Sequence, residues 1–243
     1  QMIWVPPGSF RMGAPADEPG READETLHPV SLTDGFWLAS HETTQEQWQE
    51  VMGNNPSYFE GEPTLPVESI DYAEAMEFCD RLTARSRSMN LIPDGFVFSL
   101  PTEAQWEYAC RAGSSTPFSG DLEKVAWYHG NSKAKPHPVG TKQSNAWGFH
   151  DMHGNVWEMC LDWEYLYPDH KAVDPVAAYP SKYKVVRGAS WAHLKAHIRS
   201  ANRGMLKPGT KGMHHGMRIA LIPLHYHQTM AEAKHMAPSG RKP

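Results

Sequence analysis

The sequence predicts an α+β fold with limited regular secondary structure and long ordered loops. The chain has 243 residues, 40% of them hydrophobic and 21% charged, which is typical of a globular domain with a substantial core. Its 19 glycines and 20 prolines indicate many turns. Nine tryptophans provide large apolar anchors for the loops, and apolar periodicity is confined to short segments.

Strand-like segments dominate the first forty residues. Residues 2–13 predict a strand, a Pro/Gly turn and a second strand, and residues 28–38 return to strand-like alternation. Residues 14–28 between them are acidic and rich in Pro and Gly, which predicts a surface loop.

Two helices are predicted in the next fifty residues. Thr43 is a candidate N-cap, with Glu46 three residues later as in a capping box, and this helix should end near Gly53. The second helix is expected over residues 72–86, capped by Asp71. Its apolar side chains recur at helical spacing.

The rest of the chain is less regular. A short strand at 96–100 precedes a third helix at 103–111, which Thr102 caps and Gly113 terminates. Periodicity fades from 114 to 184, and late strands are expected at 185–187 and 216–221. Long ordered loops of this kind need aromatic anchors or a bound ion to hold them.

We expect one domain over residues 1–223 and a C-terminal extension over 224–243, with the last six residues disordered. Because the chain opens at Gln1, we also expect that an upstream segment was removed.

Charge and cysteine content exclude several classes. The net charge is −5 without a basic stripe, so nucleic acid is not an expected partner. No apolar run approaches the roughly 20 residues that span a bilayer. The three cysteines, Cys79, Cys110 and Cys160, are odd in number and widely spaced, which fits neither a disulfide framework nor a thiolate zinc site. We expect them to be small buried side chains.

Several segments in order resemble the formylglycine-generating enzyme family, also called the sulfatase-modifying-factor domain. The resemblance extends over residues 2–222. The segments that carry it are 5–13, 42–48, 55–59, 65–68, 100–113, 138–140, 145–158, 187–191 and 199–203. The resemblance implies a compact fold related to C-type lectins. The family also includes a siderophore-maturation group and part of the ergothioneine sulfoxide synthases.

A structural calcium ion is expected at Gly154-Asn-Val-Trp-Glu158, where the family places one. Asn155 and Glu158 supply hard side-chain oxygens, and the Val156 carbonyl, with that of His153, can add more. A hydrogen-bonded turn without an ion is the alternative. For the family's second calcium site, Asn131 and Ser132 match the first half, but the acidic loop that completes it is missing.

The resemblance implies two copper-binding cysteines after a Gly-Gly-Ser-Tyr/Trp motif, and this chain has neither. Its motif is Arg187-Gly-Ala-Ser-Trp191, and no cysteine follows Cys160. Ala189 and Met217 also depart from the common pattern. We therefore do not expect this chain to make formylglycine.

Histidines occupy the region instead. His193 and His197 lie four residues apart and can face one metal ion on a helix, which suits Cu, Fe or Zn. The others follow later in the chain: His214, His215, His225 and His227. The alternative is that they are surface residues on a variable loop.

Arg199 and Arg203 are candidates for binding a substrate carboxylate or phosphate, or else anchors that pair with acidic residues inside the protein. The same alternatives apply to Arg187 and Arg218.

Three functions follow from these residues. The first is a metal-dependent oxidoreductase acting on a peptide or an amino-acid-derived small molecule. Its catalytic candidates are Ser190 and Trp191 together with His193 and His197. The second is a non-catalytic, lectin-like scaffold that binds a ligand or protein in a pocket around 190–217. The third is a pseudoenzyme partner of a true family enzyme.

The cysteines also bear on localisation. In some family members the positions of Cys79 and Cys110 start disulfides, whose partner positions here are Ser200 and Ile219. Because those disulfides are absent, we lean to a cytoplasmic location, with an exported mature form as the alternative.

Overall fold

The computed structural model describes residues 1–236 and has an α+β architecture, as predicted. The strands are β1 (Met2–Val5), β2 (Gly8–Met12), β3 (His28–Leu32), β4 (Phe36–Ala39), β5 (Phe96–Ser99), β6 (Ala126–Trp127), β7 (His153–Gly154), β8 (Trp157–Trp163), β9 (Ala172–Val173), β10 (Lys184–Arg187), β11 (Arg203–Leu206), β12 (His215–Gly216) and β13 (Ala220–Pro223). The helices are α1 (Gln45–Met52), α2 (Tyr72–Ser88), α3 (Glu103–Arg111), α4 (Leu122–Val125) and α5 (Leu224–Met236), and a 3-10 turn covers Lys195–His197.

Two four-stranded sheets organise the molecule. The first has the order β1-β4-β13-β5, and all of its neighbouring strands are antiparallel. The first and last strands of the domain, β1 and β13, therefore lie in the same sheet. The second has the order β11-β10-β8-β12, with the β8–β12 pair parallel. Smaller sheets join β2, β3 and β9, and β6 with β7. Helix α3 packs between strands of the second and third sheets, and every residue of it is buried.

The predicted helices are present, with one correction at the start of α1. Thr44, and not Thr43, is the N-cap: its hydroxyl accepts a hydrogen bond from the Gln47 amide, and the Gln47 side chain accepts one from the Thr44 amide. The amide of Thr43 instead donates to the Met217 carbonyl, which keeps that residue extended. Gly53 ends the helix in the left-handed conformation, as predicted.

The other two helix predictions also hold, with small changes at their ends. Asp71 caps α2, which extends two residues beyond the predicted end to Ser88. Thr102 caps α3, whose C-cap is Ala112 in the left-handed conformation, with Gly113 following. The stacked rings of Trp48 and Phe78, with centroids 5.3 Å apart, join α1 to α2.

Several elements were not predicted from the sequence, among them β8, β11 and α5. Strand β8 is buried at six of its seven positions, so it lacks the alternation that marks a half-exposed strand. Strand β11 was also missed. The expected extension begins as helix α5, a polar helix that rests on the domain through Tyr226, which is 1% exposed. The predicted disorder of residues 238–243 lies outside the described residues.

Within residues 1–236, no helix combines the length and apolar character that a bilayer crossing requires.

Candidate functional site

A sharp turn after β10 positions the predicted site. Gly188 and Ala189 both have positive φ angles, +86° and +57°, and the Gly188 carbonyl accepts a hydrogen bond from the Gly154 amide at 2.7 Å. A left-handed conformation is unfavourable for alanine, so the surrounding contacts must hold it in place. The turn directs Ser190 and Trp191 toward the loop after β7, where the Trp191 amide donates to the Asn155 carbonyl at 2.8 Å.

The structure brings four histidines together beside this turn. We call His193, His197, His214 and His215 the imidazole cluster. The ring centroid of His193 lies 6.1 Å from that of His197 and 6.5 Å from that of His214. The ring centroids of His214 and His215 are 6.3 Å apart. The first pair does not share a helix, on which the predicted metal spacing depended: His197 lies in the 3-10 turn Lys195–His197, and His193 precedes that turn. The two later histidines come from the loop that leads into β12.

Burial favours the neutral form of three rings of the cluster, those of His193, His214 and His215. Burial lowers the pKa of His193 to about 4, with the nearby rings of His197 and His214 adding to the effect. Burial likewise lowers the pKa of His215 to about 4 and lowers that of His214. Neutral imidazoles can accept hydrogen bonds or bind metals.

Three ring nitrogens of the cluster are buried without a hydrogen-bond partner: Nδ1 of His197, of His214 and of His215. The fourth ring is held in place, because Nδ1 of His193 lies 2.8 Å from Ser190 Oγ. Across the part of the chain that the structure describes, no group of three or more His, Cys, Asp or Glu side chains has the geometry of a metal site.

Ser190 and Trp191, the two predicted catalytic residues beside the histidines, are both buried. Ser190 is 0% exposed, and its Oγ also accepts the Ala192 amide at 3.3 Å. Trp191 is 7% exposed, and its ring is tilted against that of His214 at a centroid distance of 4.8 Å. Ser190 therefore orients the ring of His193 and does not reach the surface.

Aromatic rings continue from Trp191 to the surface. Trp191 contacts Phe59 edge-on at 5.6 Å, and Phe59 contacts Tyr58 edge-on at 5.1 Å. Tyr58 is 67% exposed. We call Tyr58, Phe59 and Trp191 the aromatic rim. The sequence prediction missed Tyr58 and Phe59 as site residues, because they lie more than 130 positions before Trp191 and only the fold brings them to it.

The histidines of α5 belong elsewhere. His227 lies with Nε2 2.8 Å from Ser99 Oγ, and His225 lies 3.6 Å from Asp34. Both help to hold α5 on the first sheet and do not join the imidazole cluster.

Arg199 and Arg203 are engaged inside the protein. Arg199 pairs with Glu18 and Glu25 at 2.7 Å each, so its guanidinium helps to hold the acidic loop of residues 14–28. Arg203 makes two bonds to Glu103, at 2.8 and 2.9 Å. These contacts are those of the anchoring alternative, in which both arginines stabilise loops. Substrate binding by these two residues stays a prediction.

The side chains predicted to bind calcium are also engaged. The Asn155 amide nitrogen donates to Glu42 at 2.7 Å, and its oxygen accepts the His137 amide at 2.9 Å. The Glu158 carboxylate accepts two bonds from Arg218, at 2.7 and 2.8 Å, and one from the Trp106 indole at 2.7 Å. These two side chains therefore do not fit a calcium ligand set, and the hydrogen-bonded alternative describes them.

One hard oxygen beside this turn has no partner. Oδ1 of Asp151 is buried and unpaired, while its other oxygen accepts the Gly140 amide at 2.6 Å. Burial raises the pKa of Asp151 to about 6. The sequence signal was present, because Asp151 lies three residues before Gly154, but the prediction considered only the Gly154–Glu158 segment. Calcium binding by Asn155, Val156 and Glu158 stays a prediction.

The first half of the second predicted calcium site is likewise hydrogen-bonded within the protein. The Asn131 amide oxygen accepts the Tyr128 amide at 3.0 Å, and Ser132 Oγ donates to the Trp191 carbonyl at 2.8 Å. These bonds tie the 128–132 turn to the site, and the Ser132 bond fixes the backbone at Trp191.

The chain matches the sulfatase-modifying factor enzyme 1-like domain family over residues 1–222. It is 28% identical over 240 residues to a protein of Paenibacillus barcinonensis named chaperone protein LppX, covering 78% of this chain and 81% of that protein. It is 32% identical over 303 residues to the formylglycine-generating enzyme of Mycobacterium tuberculosis, and the match covers 92% of this chain and 98% of that enzyme.

Solved structures agree in fold. Treponema denticola variable protein 1 superposes with a TM-score of 0.81 at 30% identity, covering 91% of this chain and 95% of that one. The chain also matches a Chlamydia trachomatis protein named serine/threonine-protein kinase Pkn1, but spans only 38% of its length. The match over nearly the whole chain, together with the shared fold, makes this protein a member of the formylglycine-generating enzyme (sulfatase-modifying factor) family.

Proposed function

We propose that this chain is a ligand-binding member of the family that does not itself make formylglycine, and that the aromatic rim and the imidazole cluster bind a peptide segment. The observation that carries the proposal is the aromatic path from exposed Tyr58 to Trp191, beside three imidazoles that each have a buried ring nitrogen without a hydrogen-bond partner. Exposed tyrosine and buried tryptophan are typical of binding surfaces, because they offer large rigid contact areas.

The chemistry of the surface favours a peptide. Neutral imidazole nitrogens can pair with backbone amides, while the rim accepts an apolar or aromatic side chain. The relative LppX is named a chaperone protein, which supports a polypeptide as the ligand class. All three cysteines are fully buried, which is consistent with a role other than thiolate oxidation.

Selection of peptides from a displayed random library on the immobilised protein tests the proposal. We expect the selected peptides to bind Tyr58→Ala at least about tenfold more weakly than wild type. A tenfold loss corresponds to about 1.4 kcal/mol of binding free energy, which a tyrosine at the centre of an interface can contribute. Tyr179→Ala is the matched control, since Tyr179 is 68% exposed and Tyr58 is 67% exposed. Equal binding to both variants, or no selected peptide, would contradict the proposal.

A metal-dependent oxidoreductase is the second candidate, favoured by the three unpartnered ring nitrogens of the imidazole cluster. The metal content of the purified protein, measured by plasma mass spectrometry, tests it. This candidate predicts stoichiometric copper or iron that is lost in His193→Ala/His197→Ala and retained in the control His170→Ala/His225→Ala. Wild-type protein without either metal after incubation with each would remove this candidate.

The same measurement tests the structural calcium. If the ion binds at the turn beside Asp151, we expect one calcium per chain in wild type and none in Asp151→Ala, because the variant loses the unpaired side-chain oxygen that the described residues place there. Equal calcium in both proteins would show that Asp151 is not a ligand.

A further inference from the structure

A separate cavity lies between the second sheet and helix α5. It has a volume of about 500 Å³, within the range of small-molecule sites, about 300–1,000 Å³. Its walls are mainly apolar and include Tyr72, Leu161, Trp163 and Met230. Helix α5 supplies part of one wall and begins just after residue 222, where the family match ends. The cavity is therefore built jointly by the family domain and this chain's extension.

Lys184 is the polar group of this cavity. It is 2% exposed, and its ammonium lies 4.1 Å from the ring centroids of both Tyr72 and Trp163. Nζ donates one hydrogen bond, to the Leu161 carbonyl at 2.8 Å. An ammonium has three N–H groups, so one carbonyl and two aromatic rings leave it under-satisfied as a hydrogen-bond donor.

Lys184 also lacks an ion-pair partner. Within residues 1–236, no carboxylate oxygen lies within 4.0 Å of its Nζ. The nearby Asp162 carboxylate accepts the backbone amides of Glu103 and Ala177, at 2.8 and 2.7 Å. Burial lowers the pKa of Lys184 to about 7. A lysine this buried is almost always paired, so its isolation is unusual.

The charged side chains that line the cavity are cationic. Besides Lys184, the lining includes Lys234, and among the described residues no Asp or Glu lines it. His227 also lines the cavity, and burial lowers its pKa, which disfavours its charged form. His227 is held by Ser99 at 2.8 Å, which leaves Lys184 as the buried cation available to a ligand. An anion with an apolar body complements such a site, because its charge pairs with the ammonium while its body fills the apolar walls.

We infer that this cavity is a binding site for an apolar monocarboxylate, whose carboxylate pairs with Lys184 and whose hydrocarbon part lies between Trp163 and helix α5. The site is distinct from the aromatic rim and the imidazole cluster, so it does not depend on the proposed peptide-binding function.

Isothermal titration calorimetry with decanoate, at pH 6.5 and below the critical micelle concentration of decanoate, tests the inference. Decanol is the matched uncharged probe, and decylamine is the probe of opposite charge. We expect decanoate to bind wild type at least about tenfold more tightly than either, because only the carboxylate forms a charge-assisted hydrogen bond with the Lys184 ammonium. We expect Lys184→Met to lose about tenfold in decanoate affinity, and the exposed neighbour Lys182→Met to bind as wild type does.

A second pair of variants keeps the test independent of the folding of Lys184→Met. Ala231 is an exposed residue of α5 that lines the cavity, whereas Gln228 is an exposed residue of the same helix that does not. Ala231→Trp should block decanoate by filling the cavity, and Gln228→Trp should leave binding unchanged. Absence of decanoate binding, equal affinity for decanoate and decanol, or full binding by Ala231→Trp would each overturn the inference.

Discussion

Arg187 lies at the centre of a buried network of charges that joins the second sheet to α3. Its guanidinium pairs with Glu103 at 2.7 Å and with Glu107 at 2.6 Å, and it donates to the Ser200 carbonyl at 2.5 Å. Burial alone would raise the pKa of Glu103, but Arg203 and Arg187 together hold it below its ordinary value. The arginines that the sequence offered as anion binders are thus neutralised by glutamates inside the protein.

Replacing Arg187 by methionine should lower the free energy of unfolding by about 3–5 kcal/mol, because two buried carboxylates lose a partner. Urea unfolding followed by tryptophan fluorescence measures the change. Arg85→Met is the control, since the Arg85–Glu50 pair is exposed and such pairs contribute about 0–1 kcal/mol. A loss below about 1 kcal/mol for Arg187→Met would mean that the network is not a main support of the fold.

At the scale of elements, the helices are defined mainly by their caps. Asp71 accepts the Glu74 amide at 3.0 Å, and the Glu74 carboxylate accepts the Asp71 amide at 3.0 Å, so α2 begins with a reciprocal capping box. Glu74 also pairs with Lys211 at 2.5 Å, which links the start of α2 to the loop before β12. The cap therefore supports both the helix and the segment that carries His214.

Substituting Asp71 by alanine should destabilise the protein by about 1 kcal/mol, the usual contribution of an N-cap side chain. Chemical unfolding at neutral pH gives the difference. Asp80→Ala is the matched control, because Asp80 is an exposed residue in the middle of the same helix. If the two substitutions have the same effect, the cap of α2 does not contribute as the geometry indicates.

For the molecule as a whole, the fold places all three cysteines in the core, which determines their chemical reactivity. Cys79, Cys110 and Cys160 are all 0% exposed and free. Burial raises the pKa of Cys110 to about 12 and also raises the pKa values of Cys79 and Cys160. Thiols of this kind are poor nucleophiles and poor metal ligands, because both roles require the thiolate.

The folded protein should therefore resist labelling by a thiol reagent such as dithionitrobenzoate at pH 8, whereas the protein unfolded in guanidinium should release three equivalents of chromophore. The measurement needs no variant, since the unfolded chain is its own control. Rapid labelling of one thiol in the native state would contradict the described burial.

Much of the fold was predictable from local sequence. The caps Asp71 and Thr102 and the terminator Gly53 were identified correctly, because capping depends on a few adjacent side chains. The N-cap of α1 was not identified correctly, because Thr43 and Thr44 carry the same hydroxyl group. A hydrogen bond from the Thr43 amide to Met217, far along the chain, distinguishes them. Strand β8 was missed because its burial on both faces removes the alternation that marks a strand.

By itself, the sequence determined the family, the fold class and the absence of the cysteine pair after Trp191, because each is written in short segments or in residue identity. Only the tertiary structure decided which polar groups remain available. It engages Glu158 with Arg218 and leaves Asp151 and Lys184 without full partners. Pairing of this kind joins residues far apart in the chain, so spacing alone carries no information about it.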